Sequence, residues 1–136
     1  MQFVKLTLAA AGLAIIASTG FAGDAAKGET VFKKCKACHK IGEGAKNATG
    51  PQLNNVIGRA AGSEADYKYS PSMIAAGAAG LVWTEDLVAD YLEDPKAFLQ
   101  AFLSDPSAKS KMVIKISKED DREDVAAYLA TFTAAQ

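Results

Sequence analysis

The sequence predicts an all-α fold with long loops, and three observations carry that expectation. Val125, Tyr128, Leu129 and Phe132 recur at i, i+3, i+4 and i+7, and Leu87, Val88, Tyr91 and Leu92 fall on one stripe, as they must to line one face of a helix. Capping and breaking residues bracket the same stretches. Alternating apolar and polar runs are missing, with only residues 112–116 strand-like, and there are no internal repeats.

The first twenty-two residues run from a basic start (Met1 to Lys5) through an apolar stretch (Leu6 to Ala17) to small residues ending at Ala22. This is the pattern of a secretory signal peptide, so residues 1–22 are expected to be cleaved and residues 23–136 to form a single domain. The apolar stretch is shorter than the roughly 20 residues a membrane span needs, and a membrane-embedded product is not expected. The remaining 114 residues hold 14 basic and 16 acidic side chains, a balance that argues against a nucleic-acid binder. Leu, Ile, Val and Phe make up only 22 of those 114. A core that thin calls for a staple: disulfides, a metal or a bulky cofactor.

Asp24 is expected to cap a first helix running toward Cys35, with Lys33, Lys34 and Lys36 near its negative end. Residues 41–72 are rich in Gly, Asn, Pro and Ser and read as loop, apart from a single turn over residues 53–57. Met73 opens a short helix. Thr84 caps Glu85 to Glu93, Asp94 with Pro95 starts a helix over residues 96–103, and Asp105-Pro106 stops it. A second loop follows from Ser104 to Lys118. Ser117 and Asp120 then make a capping-box-like start to the last helix.

Cys35-Lys36-Ala37-Cys38-His39 is Cys-x-x-Cys-His, the spacing at which two thiols on one turn add to the vinyl groups of a haem while the next imidazole turns to the iron. A redox disulfide of thioredoxin type would need alternating strands and helices, and a zinc site would need four ligands where only three Cys and His residues exist. His39 is the only histidine, so a second imidazole is excluded. A thioether, a lysine amine or an open position remains for the other axial site. Met73 stands at a helix start and Met112 in a Lys-bounded loop; a loop methionine has less reason to be core filler, which favours Met112.

These segments, taken in order, resemble a class I cytochrome c of the soluble periplasmic, alphaproteobacterial kind. The resemblance runs from Gly23 to Thr133: residues 23–29 resemble the family's first helix, Cys35 to His39 its haem site, residues 49–53 and 56–59 its proximal loop. Trp83-Thr84-Glu85 with Tyr91-Leu92 and Asp94-Pro95 resembles its middle helix, and residues 124–129 its last. The resemblance implies a cytochrome c fold of three to five helices with long loops wrapped around one covalently bound haem c, with His39 and Met112 as iron ligands. It implies that the Pro51 carbonyl accepts from the proximal imidazole, that Arg59, Tyr67, Tyr69 and Trp83 surround the haem propionates, and that Tyr91 approaches the methionine side. Gly28 with Phe32, and Tyr128 with Leu129, resemble the crossing of first and last helices. One departure stands out: this chain has Ser110-Lys111 before Met112, where the family often has Gly directly before the methionine or Pro a few residues earlier.

The function so implied is one-electron transfer in the periplasm, from a quinol-oxidising cytochrome complex to a terminal oxidase, a peroxidase or a photosynthetic reaction centre. No general base, nucleophile or phosphate-cradling loop points to an enzyme. The competing readings are an open-site haem protein, gas-sensing or peroxidase-like, and a small partner-binding domain with a plain disulfide. Residues 27–46 and 105–118 together carry an excess of seven positive charges, residues 85–94 five negative and residues 119–124 four net negative. A monomeric dipole is expected, its Lys-rich end at the exposed haem edge steering toward acidic faces of membrane redox complexes.

Overall fold

The computed structural model describes residues 23–134. Five helices follow one another: α1 (Ala25–Phe32), α2 (Pro71–Ala78), α3 (Glu85–Glu93), α4 (Pro95–Leu103) and α5 (Glu119–Ala130). The expected all-α class with long loops is what forms. The leader predicted for residues 1–22 lies outside the described residues.

Local chemistry accounts for most helix ends. The Asp24 carboxylate accepts from the N–H groups of Ala26 and Lys27 at 2.9 and 3.2 Å. Ser70 caps α2, with Pro71 at its first position. Thr84 accepts from Leu87 N–H at 3.1 Å, and Asp94 from Ala97 N–H at 3.0 Å. Each satisfies an amide that the first turn leaves without an intrahelical partner.

The first helix starts after Asp24 and runs toward Cys35 as expected; it ends at Phe32, and tight turns carry the chain on to residue 38. Two expectations need correction. The capping box at Ser117 and Asp120 does not form: α5 starts after Lys118 with no side-chain cap. There the Ser117 carbonyl accepts from Arg122 at 2.9 Å, and Glu119, Asp120 and Asp121 occupy the first turn, where the helix dipole favours negative charge. Residues 112–116 form no strand. Among the described residues the only β-type pairing is an isolated antiparallel bridge, Ala60 to Val82. It is formed by Ala61 N–H to Leu81 O at 2.9 Å and Trp83 N–H to Arg59 O at 3.0 Å.

Helices α1 and α5 make the most extensive helix contact, and α3 also packs against α5. Gly28 makes the crossing close: a Cβ there would run into the Asp124 carbonyl and stand 2.8 Å from Tyr128 Cβ. Phe32 and Leu99 at 1% and 0% exposure, with Val125 at 1%, anchor the core. No helix among the described residues is long and apolar enough to cross a membrane.

Candidate functional site

The turns after α1 bring Cys35 and His39 to the inner wall of the molecule. Cys38 and His39 N–H both bond to Cys35 O, at 3.1 and 2.9 Å. That closes one compact turn. Both thiols are free of any disulfide, Cys35 half-buried and Cys38 exposed. Burial raises the Cys35 thiol above its ordinary pKa, against the opposing pull of the Lys34 ammonium.

The His39 ring is held from two sides. Its Nδ1 lies 2.8 Å from Pro51 O; since a carbonyl can only accept, Nδ1 carries the proton and Nε2 the lone pair. Against the ring lies Gly50, where a Cβ would stand 2.7 Å from Nδ1 and 2.8 Å from Nε2. Burial lowers the His39 pKa, the Pro51 bond opposes this, and the Arg59 charge adds to the lowering. The imidazole is therefore kept neutral, the form in which nitrogen can bind a metal.

One cavity of about 270 Å³ takes in this wall and the far one. Cys35, Cys38, His39, Pro51, Arg59, Tyr67, Tyr69, Trp83, Tyr91 and Met112 all line it. Residues 35–51, 59–69, 83–91 and 112 thus converge from four chain segments. The Ala60 bridge to Val82 places Trp83; α3 supplies Tyr91, and the loop before α5 supplies Met112. The rest of the lining is largely apolar, with Phe32, Leu53, Val88, Leu92, Val125 and Leu129.

Arg59 and the three tyrosines on this wall already have protein partners. Arg59 donates from both terminal nitrogens to Gln52 O at 3.1 Å and pairs with Glu64 at 3.2 Å. Tyr67 OH donates to Thr49 O at 2.8 Å. Tyr69 OH accepts from Glu64 N–H at 3.1 Å, and burial raises its pKa. Tyr91 OH lies 3.5 Å from Ser110 Oγ, with its pKa likewise raised by burial. Its ring meets Trp83 at 5.0 Å between centroids.

Met73, the alternative thioether weighed in the sequence, lines the same cavity as Met112, so both methionines of residues 23–136 reach it. Sequence reasoning missed other parts of this wall. Gly50, Ser110 and Lys111 also line it. The Gly-Pro dipeptide was a local signal for the first; contacts between loops distant in sequence placed the other two.

A neutral imidazole with an open lone pair, two neighbouring thiols and a largely apolar enclosure fit a flat macrocycle bound through thioethers. That is the chemistry of a c-type haem protein. The family model described as Cytochrome c matches residues 25–133. Cytochrome c2 of Rhodobacter capsulatus is 47% identical over 136 residues, covering 94% of this chain and 96% of that protein. Cytochrome c2 iso-1 of Rhodospirillum centenum is 51% identical over 117 residues, covering 82% and 98%. Among solved structures, cytochrome c2 from Rhodospirillum centenum superposes with a TM-score of 0.79 at 47% identity, covering 82% of this chain and all of that one. The chain belongs to the cytochrome c family: an electron-carrying cytochrome with covalently bound haem c and its iron.

Proposed function

We propose that this protein is a soluble periplasmic one-electron carrier in which Cys35 and Cys38 hold the haem through thioethers and His39 Nε2 and Met112 Sδ close the two faces of the iron. The bound haem supplies an iron that changes by one charge without exchanging a ligand. The observation that carries the reading is the His39 Nδ1 to Pro51 O hydrogen bond of 2.8 Å, set in the cavity that Met112 also lines. Pro51 fixes the imidazole's tautomer and raises its basicity toward the metal. Trp83, Tyr67, Tyr69 and Arg59 surround the propionates, whose burial unpaired would cost several kcal/mol each. Tyr91 packs on the methionine side. With both faces closed the protein carries electrons and is not an enzyme.

Residues 23–136 are the exported form, cleaved after Ala22. Electrons pass from a quinol-oxidising cytochrome complex to an oxidase, peroxidase or reaction centre. Exposed Lys34 and Lys111 at the cavity and the acids of α3 and the start of α5 support a charged docking face around the haem edge. The transfer rate to an acidic partner is expected to fall steeply as salt rises; a flat response rejects the steering.

The deciding experiment is a redox titration with optical spectra on protein purified from an exporting host. A red-coloured protein with a weak far-red band of sulfur-to-iron charge transfer, and no carbon monoxide binding, is expected. Carbon monoxide binding would establish the open-site reading instead, and colourless protein would reject both. Because Met73 lines the same cavity, it is the second candidate for the sulfur. Met112→Leu should abolish the far-red band and Met73→Leu leave it; the reverse pattern would exchange the two assignments.

A further inference from the structure

We propose that Lys111 is a positioning residue that bolts the Met112 loop across the mouth of the cavity and so keeps the sulfur seated. The proposal rests on the reading of Met112 as an iron ligand. Among the described residues, no backbone-to-backbone hydrogen bond involves residues 109–115: the last before them is Ala108 N–H to Asp105 O, and the next is Ile116 N–H to Leu92 O. The loop is therefore held by side chains. Its ends are fixed, Lys109 N–H to Ser72 Oγ at 3.0 Å and Lys115 Nζ to Asp94 at 2.7 Å. At its centre Ser110 Oγ folds back on Met112 O at 2.7 Å and reaches Tyr91 OH only at 3.5 Å, and Val113 projects into solvent at 83% exposure.

Lys111 is the one central side chain that hydrogen-bonds to the backbone of another segment. Its ammonium donates to Lys68 O and lies 5.5 Å from the centroid of the Tyr67 ring. Tyr67 in turn donates to Thr49 O at 2.8 Å, next to the Gly50-Pro51 step that holds His39. Lys111, Tyr67 and Thr49 thus form a strap from the sulfur side of the cavity to the imidazole side. No proline adjoins Met112 to restrict the loop through its backbone. A charge-assisted hydrogen bond with a cation–π contact supplies the constraint from outside.

The test uses the haem-loaded exported protein with imidazole as an added ligand of the ferric iron. Imidazole binds only where the methionine has left, so its apparent affinity reports the fraction of open loop. Lys111→Met should bind imidazole on the order of tenfold more tightly, as expected for the loss of one partly exposed charge-assisted bond. It should also exchange the amides of residues 110–114 faster. Lys111→Arg, which keeps donor and charge, should stay near the parent protein. Lys109→Met removes an equal charge from the same loop but leaves its backbone tie, and should leave both readouts unchanged. An unaltered Lys111→Met, or equal shifts in the Lys111→Met and Lys109→Met proteins, overturns the strap. Loss of the ligand reading looks different: the parent protein would lack the far-red sulfur band, and amide exchange would still judge the strap.

Discussion

Phe32 of α1 and Tyr128 of α5 meet at 5.5 Å between ring centroids, tilted by 50°, one turn along from Gly28, where α1 lies against the backbone of Asp124. The aromatic pair contributes about 1 kcal/mol beyond its buried area, and it forms only because Gly28 has no side chain. Two opposing effects decide what Gly28→Ala does. Helix propensity favours alanine by about 1 kcal/mol, whereas overpacking against a carbonyl that cannot rotate away costs about 3 kcal/mol. The packing cost should win, for a net loss of about 2 kcal/mol, read as a lower denaturant midpoint at unchanged slope. A neutral or stabilised variant would mean that α1 slides on α5 without cost.

Arg122 sets a buried clasp on two carbonyls against a surface ion pair. It is 8% exposed, and its Nη1 donates to Ile116 O and Ser117 O, each at 2.9 Å. Glu93 is 3.9 Å away, with a mostly exposed side chain. Arg122→Met should therefore cost about 2–3 kcal/mol, because two carbonyls at the entry to α5 lose their donor. Glu93→Gln should cost less than about 0.5 kcal/mol. Equal losses in thermal or denaturant unfolding would show that the ion pair, not the carbonyl clasp, holds the loop to α5.

Asp94 couples the start of α4 to the loop before α5. The Lys115 ammonium at 2.7 Å, with the Ala97 N–H next in effect, lowers its pKa below the ordinary 3.8. A carboxylate whose pKa falls on folding contributes stability that is complete above its unfolded value and is lost as pH drops through the folded one. Stability should thus decline below about pH 4 partly through this group. Asp94→Asn keeps a good cap but cannot titrate, so its unfolding midpoint should change less between neutral and acid pH than that of the parent protein. Parallel curves for the two proteins would remove Asp94 from the acid response.

The boundaries of α3 and α4 were legible because Thr84, Asp94 and Pro95 act on the amides next to them, within three residues. The start of α5 was misread because the Ser117 carbonyl is taken by Arg122, five residues on, a residue that looks solvated inside the run Glu119 to Asp124 but is buried. The start of the first helix was legible from Asp24, but nothing local marks the tightening after Phe32 that carries the chain to the cysteines. The Ala60 to Val82 bridge joins segments more than twenty residues apart and has no periodic signature. At the site, the pentapeptide from Cys35 to His39 was readable from its own spacing. The neighbours of Lys111, Tyr67 and Lys68, come from another loop and become visible only once the chain is folded.

The contact between Gly50 and His39 gives the most direct handle on the imidazole. Gly50→Ala places a methyl group where the ring stands, 2.7 Å from Nδ1, so the ring must shift or the loop must retreat, and either lengthens the 2.8 Å bond to Pro51 O. With His39 as the proposed iron ligand, a weaker bond would leave the imidazole a poorer donor, which destabilises ferric more than ferrous iron. The reduction potential should rise by on the order of 40 mV, the equivalent of about 1 kcal/mol for one electron. Pro51→Ala retains the carbonyl and should stay close to the parent value. A redox titration that finds the two variants shifted alike would assign the effect to the loop's conformation, and one that finds Gly50→Ala unshifted would mean that the Pro51 carbonyl does not tune the metal's ligand.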